Sequence, residues 1–262
     1  MRRFVGVAGT VILLSSCVTS PTGRSQLMLI SADEETKMGA QAYQEVLGSS
    51  KILASGPEVT RVRTVGERIA KVTGESYQWE FNVIDDPKTV NAFCLPGGKV
   101  AVYTGILPLA TTDDELAVVM GHEIAHATCH HGGERVSQNV IAQLGLSAAD
   151  LLLSGQSEST RQLAIAALGA GAQVGVLLPY SREHESEADT VGLNYMYDAG
   201  YDPAAGAEFW KKMEAQGGGA PPAFLSTHPA PEARMENLAK LAVELKKRPR
   251  EAVSPKQSTT TK

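Results

Sequence analysis

The chain has 262 residues, 43% of them hydrophobic and 20% charged, with 24 basic against 29 acidic side chains and a formal net charge of −5. That length and apolar fraction suit a single globular domain with no internal repeat. The acidic balance argues against nucleic acid as a ligand.

Arg2 and Arg3 precede an apolar run from Phe4 to Leu14 that is too short for a comfortable membrane span. Leu14-Ser15-Ser16-Cys17 follows it and resembles a bacterial lipobox, so residues 1–16 read as a lipoprotein signal peptide and Cys17 as the lipidated residue. An ordinary cleaved signal or an uncleaved anchor is the alternative. Val18, rather than an aspartate, follows the cysteine, which directs the expectation to the periplasmic face of an outer membrane. Removing residues 1–16 takes away two arginines and no acid, moving the formal charge from −5 to −7. Residues 17–26 then read as a lipidated tether, 27–246 as the folded domain and 247–262 as a disordered Pro/Ser/Thr/Lys tail.

Within the domain, apolar spacing predicts helices over 32–47 and 58–72 and strands near 79–84 and 99–103, with Gly97-Gly98 as a hairpin turn. Thr112-Asp113-Asp114-Glu115 reads as a capping box that opens a helix from Thr112 to about His131, ended by Gly132-Gly133. Further helices are predicted over 135–153, 160–177, 182–199, 203–215 and 231–245, which makes the fold α+β and mainly α-helical with a small sheet. Residues 163–178 are strongly apolar, but as a helix they reach only about 24 Å, short of the roughly 30 Å hydrocarbon core. A buried or lid helix is the expected reading, with bilayer contact as the alternative.

His122-Glu123-Ile124-Ala125-His126 falls inside the helix that opens at Thr112. Two histidines four apart share a helix face and can hold one ion, while Glu123, turned by about 100°, can reach a water at an open position. An HEXXH pattern also recurs by chance as two ordinary helical histidines, and zinc needs a third protein ligand. Glu185 and Asp189 supply a carboxylate pair on one face of a later helix; one can ligate while the other accepts the second ring N–H of a ligand histidine. Glu187 lies about 200° from Glu185 and should point elsewhere. The competing reading of this stretch is a solvated acidic face. His130 stands about 12 Å along the axis from His122, too far to share its ion, so His130, His131 and His184 read as polar surface or packing residues. Gly121 costs the helix up to about 1 kcal/mol relative to alanine, which close backbone approach would explain.

Four motifs in order carry a resemblance: Val90-Asn91-Ala92-Phe93-Cys94-Leu95-Pro96-Gly97-Gly98, the HEIAH segment, Glu185-Ser186-Glu187-Ala188-Asp189, and Ser226-Thr227-His228-Pro229-Ala230-Pro231-Glu232-Ala233-Arg234. Over residues 27–245 the chain resembles the forty-eighth metallopeptidase family, that of the CAAX prenyl proteases, HtpX, BepA and LoiP. The resemblance implies a gluzincin-type metalloprotease domain holding one zinc ion through His122, His126 and Glu185. It makes Glu123 the general base, Asp189 the acid behind a ligand histidine, and His228 a residue that approaches the metal or the oxyanion. The segment 91–104, with Asn91, is similar to an edge strand on which an extended substrate pairs by strand addition. The implied activity is zinc-dependent endoproteolysis of periplasmic or outer-membrane polypeptides, with the N-terminal lipid as membrane contact and outer-membrane assembly machinery as a partner. In the family architecture the edge strand neighbours the HEXXH helix, which implies a disulfide between Cys94 and Cys129; two buried thiols are the alternative. A second reading is a zinc-stabilised lipoprotein that escorts outer-membrane proteins with silent or gated proteolysis, favoured if His228 closes the site as a fourth ligand. A structural lipoprotein without metal is a third.

Overall fold

The computed structural model describes residues 17–172, 178–216, 223–228 and 232–250. The expected signal segment 1–16 lies outside them, as do residues 251–262. The architecture is α+β and mainly helical. Strands β1 (Cys17–Thr19) and β2 (Ser25–Leu27) form an antiparallel hairpin, followed by helices α1 (Ala32–Ser49) and α2 (Pro57–Ala70). Strands β3 (Glu80–Ile84), β4 (Ala92–Leu95) and β5 (Lys99–Tyr103) make a sheet of order β3-β5-β4. The central β5 runs parallel to β3 and antiparallel to β4, in the register Phe81↔Val100 and Cys94↔Val100. Val100, Ala101 and Val102 are fully buried, as a central strand requires. Gly97 and Gly98, at φ 83° and 81°, turn β4 into β5 where side chains rarely adopt such angles.

Helix α3 (Asp113–Thr128) is the spine of the core. Thr112 caps it: its hydroxyl accepts from the Glu115 N–H and the Glu115 carboxylate accepts from the Thr112 N–H, the reciprocal pair foreseen in the sequence. The helix does not end at Gly132-Gly133. His130 ends it in the left-handed region at φ 55°, with its Nδ1 2.6 Å from Glu35 Oε2, and α4 (His131–Leu152) starts at once. The two glycines lie in the first turn of α4, where Gly133 allows α1 to approach: Gly133 N–H donates to Glu35 Oε1 at 2.9 Å, and a Cβ on Gly133 would stand 2.6 Å from the Met28 methyl.

The remaining helices are α5 (Glu158–Ala172), α6 (Leu178–Asp198), α7 (Ala205–Ala215), the short α8 (Ala223–Thr227), which the apolar spacing did not reveal, and α9 (Glu232–Lys247). Helix α5 lies on α4, and the described part of the stretch 163–178, expected as a buried or lid helix, is not buried: Leu163 is 74% and Leu168 50% exposed, beside Leu151 at 74% and Leu152 at 86%, while residues 173–177 lie outside the described residues. Among the described residues no helix is long and apolar enough to cross a membrane. Both ends of the domain also differ from the expectation. Residues 17–26 are a docked hairpin rather than a loose tether, because Arg24 and Gln26 reach buried acceptors on α4 and α6. Residues 248–250 are held too, through Arg248 to Asp198 and Arg250 to the carbonyls of Gly200 and Tyr201.

Candidate metal centre

Helices α3 and α6 cross at two glycines. A Cβ on Gly121 would lie 2.8 Å from the Gly192 carbonyl oxygen, and one on Gly192 would lie 2.7 Å from the Gly121 carbonyl carbon. This close approach is what the glycine before His122 provides. It sets the α3 face carrying His122 and His126 against the α6 face carrying Glu185 and Asp189.

The loop after α8 adds His228 to the same point. Phe224 N–H donates to the Val90 carbonyl at 3.0 Å, so α8 starts at the edge of the sheet and ends with His228 beside α3. His122 Nε2 lies 3.1 Å from His126 Nε2 and 3.2 Å from His228 Nδ1. Glu185 places Oε2 3.3 Å from His122 Nε2, Oε1 3.4 Å from His126 Nε2, and Oε1 3.1 Å from His228 Nδ1. One donor atom from each of these four residues falls within 4.8 Å of all the others. A tetrahedral zinc with bonds of about 2.0–2.2 Å separates its ligand atoms by roughly 3.3–3.5 Å, so the donor spacing fits one small dication.

The surroundings fix the donors. His122 Nδ1 lies 3.1 Å from Asp189 Oδ1, so the proton is assigned to Nδ1 and the lone pair to Nε2, facing the cluster. The His122 ring also meets Trp210 and Phe224 edge-on, at centroid distances of 5.7 and 6.3 Å. Arg234 on α9 donates through Nη2 to Asp189 Oδ1 at 2.8 Å and through Nε to Asp189 Oδ2, and its Nη1 lies 3.2 Å from Glu185 Oε2. Its guanidinium stacks 4.2 Å from the Trp210 ring centroid. Arg234 stands in the last of the four sequence motifs, but nothing in the helical spacing singled it out. The signal was the carboxylate pair itself, because two buried acids on one helix face require a cation.

Burial pushes the Glu123 carboxyl above its usual range. Its Oε1 is buried without a hydrogen-bond partner, with His228 Nε2 3.4 Å away. Burial also pushes His126 well below its ordinary value, aided by the neighbouring His122, which keeps the imidazole neutral. Burial lowers His122 as well, yet its bonds to Asp189 and Glu185 outweigh this and hold it at about 9. Glu185 is held well below the usual carboxylate range, its histidine bonds overcoming the cost of burial.

Asn91 precedes β4, where its Oδ1 accepts from the Ala92 N–H at 2.9 Å and its carbonyl accepts from Tyr103 N–H at 3.1 Å. Strand β4 pairs with β5 on one side only, among the described residues. Cys94 and Cys129 are both buried free thiols, so the implied disulfide is absent. Their side chains pack in different clusters: Cys129 faces Ala125, Ala188 and Val191 between α3 and α6, whereas Cys94 joins the main core. Of the two readings offered for His131 and His184, packing holds and surface does not: they are 2% and 1% exposed. Glu187 points away from Glu185, as the helix angle required, but into a buried polar network rather than solvent.

The profile of peptidase family M48 matches residues 56–242. Over 217 residues the chain is 41% identical to the mitochondrial metalloendopeptidase OMA1 of Schizosaccharomyces pombe, which covers 80% of this chain and 61% of that protein. It is 30% identical over 251 residues to the human mitochondrial metalloendopeptidase OMA1, covering 90% of this chain and 48% of the relative. It is 28% identical over 235 residues to the beta-barrel assembly-enhancing protease of Yersinia pestis, covering 87% and 48%. The chain thus spans about half to three fifths of the length of these relatives. It belongs to peptidase family M48.

Proposed function

We propose that this member of peptidase family M48 is a zinc-dependent endopeptidase of the bacterial envelope, acting on periplasmic or outer-membrane polypeptides. The observation that carries the reading is the convergence of His122, His126 and Glu185 beside a buried Glu123 oxygen without a hydrogen-bond partner. These three residues would hold the metal, which when bound lowers the pKa of water and polarises the scissile carbonyl. Glu123, its carboxyl raised by burial, takes the proton of the attacking water and delivers it to the leaving amine, with no covalent intermediate. Asp189 keeps the proton of His122 on Nδ1, and Arg234 pairs with Asp189. The edge of β4 that pairs with no strand among the described residues, entered through Asn91, would offer main-chain groups to an extended substrate.

The address rests on the lipobox-like ending at Cys17 and on bacterial relatives named for enhancing β-barrel assembly. A lipid on Cys17 would hold the enzyme at the inner surface of the outer membrane, where assembly machinery is the natural partner. The mitochondrial relatives are likewise named metalloendopeptidases.

One observation favours a closed, gated form of the same site. His228 Nδ1 stands 3.2 Å from His122 Nε2 and 3.1 Å from Glu185 Oε1, in the position of a fourth ligand. In that arrangement the chain holds or escorts its clients and cleaves only after the loop withdraws. Zinc content and cleavage of an unfolded protein, measured side by side, test both readings. One zinc in the parent and in Glu123→Gln, with cleavage only in the parent, supports the peptidase; substantial turnover by Glu123→Gln refutes the role of Glu123. A faster initial rate in His228→Ala, with weaker zinc binding, supports the closed form. A slower rate would make His228 a direct contributor to catalysis.

A further inference from the structure

Behind His126 a second buried polar cluster joins four elements that are distant in the chain. His126 Nδ1 lies 2.8 Å from His131 Nδ1 at the start of α4. His131 Nε2 lies 3.0 Å from Glu187 Oε2 on α6. Glu187 in turn accepts from Arg24 Nε at 3.0 Å and from the Thr22 hydroxyl, both on the N-terminal hairpin. The same guanidinium donates through Nη1 and Nη2 to Glu134 at 2.8 and 2.7 Å, and His184 Nε2 lies 3.0 Å from Glu134 Oε2. The His131 and His184 rings stack at 4.3 Å. Glu134 is 1% and Glu187 5% exposed.

We propose that Arg24 is a positioning residue for the metal ligand His126, acting through Glu187 and His131. The proposal rests on the reading of His126 as a ligand, and tautomers carry it from there. A neutral imidazole that offers Nε2 to a metal carries its proton on Nδ1. Nδ1 of His126 therefore donates to Nδ1 of His131, which as an acceptor leaves the His131 proton on Nε2, facing Glu187. The line ends on the Glu187 carboxylate, whose oxygens meet donors from His131, Arg24 and Thr22. A buried carboxylate stays ionised when a cation is bonded to it, and Arg24 supplies that cation while its fork also holds Glu134. The line thus fixes the ring plane and tautomer of one ligand from the far side, as Asp189 and Arg234 do for His122. Because Arg24 lies in the hairpin that begins at Cys17, the docking of the N-terminal segment and the affinity for the metal are one property.

The test uses the full chain, metal-free, with Arg24→Ala, Glu187→Gln, their double variant and Arg24→Lys. Zinc affinity is read by competition with a chromophoric chelator, and ligand geometry by the visible absorption of the cobalt(II) form. Each single variant should bind zinc about 10- to 100-fold more weakly and alter the cobalt bands. The double variant should be no weaker than the weaker single one, since both cut the same line. Arg24→Lys, which keeps a cation beside both carboxylates, should recover most of the loss. If Arg24→Ala does not fold, Glu187→Gln carries the comparison alone. Variants that lower only the unfolding midpoint, with zinc affinity and cobalt bands unchanged, would show the hairpin to be a structural strap and overturn the proposal; so would additive losses in the double variant. A parent that binds no zinc overturns the metallopeptidase reading itself.

Discussion

Gly121→Ala places a methyl group in the α3–α6 crossing. The new Cβ would stand 2.8 Å from the Gly192 carbonyl oxygen, where ordinary contact begins near 3.4 Å, and the obstruction is backbone rather than a movable side chain. The helices must part by about 0.6 Å. His122 and His126 lie on one helix and Glu185 on the other, so donor distances of 3.3 and 3.4 Å widen to roughly 4 Å, beyond the roughly 3.3–3.5 Å edge of a zinc tetrahedron. Helix propensity favours alanine by up to about 1 kcal/mol, while overpacking costs about 1–3 kcal/mol. The variant should therefore unfold earlier and also lose zinc affinity by at least about tenfold, the equivalent of about 1.4 kcal/mol. Denaturant unfolding of the metal-free form and a chelator competition would measure the two separately. A variant as stable as the parent, with unchanged zinc affinity, would refute the view that this crossing sets the donor geometry.

Three further outcomes follow from the same contacts. Arg234→Met keeps the bulk beside Trp210 but strands Asp189 and Glu185; urea unfolding of the metal-free protein should show a loss of about 3–5 kcal/mol, and a loss below about 1 kcal/mol would contradict the pairing. The Glu134 carboxyl is held at about 2 against an ordinary 4.5, because its bonds from His184 and Arg24 outweigh burial. A depressed carboxylate adds stability that is complete above pH 4.5 and lost as pH falls toward 2, so the parent should lose up to about 3 kcal/mol more than Glu134→Gln across that window. In a Cys17→Ser background, Cys94 and Cys129 should resist thiol reagents in the native protein and titrate as two thiols once it is unfolded without reductant, since burial pushes Cys129 up to about 12 and Cys94 well above its usual value.

Local rules made the capping box at Thr112, the helix pair at His122 and His126, and the common face of Glu185 and Asp189 legible, because each depends on spacing within one element. The features that escaped depend on contacts across the chain. Glycines usually stop helices, but here the stop is His130, whose left-handed backbone is accompanied by a bond to Glu35 ninety-five residues away. Gly133 is small because Met28 and the Glu35 side chain of α1 pass over it. The angle of Glu187 was readable, whereas its burial under a hairpin more than 160 residues upstream was not. Cys94 and Cys129 sit on neighbouring elements, as the family architecture implied, but adjacency of elements does not aim two Cβ vectors at each other.

Helix α6 presents acids on two faces, with Glu185 and Asp189 toward the donor cluster and Glu187 toward the far side. Each face is balanced by an arginine from an opposite end of the chain: Arg234 from α9 and Arg24 from the N-terminal hairpin. The donor face still carries three carboxylates, counting Glu123, against one guanidinium. Such an excess of acid suits a face that would hold a dication. The M48 profile over residues 56–242 includes Arg234 and excludes Arg24. A chain cut to that span would keep all four donor residues yet lose Arg24 and the hairpin that covers Glu134 and Glu187. The matched span holds the chemistry, and the hairpin before it completes the charge balance that lets this fold bury the chemistry.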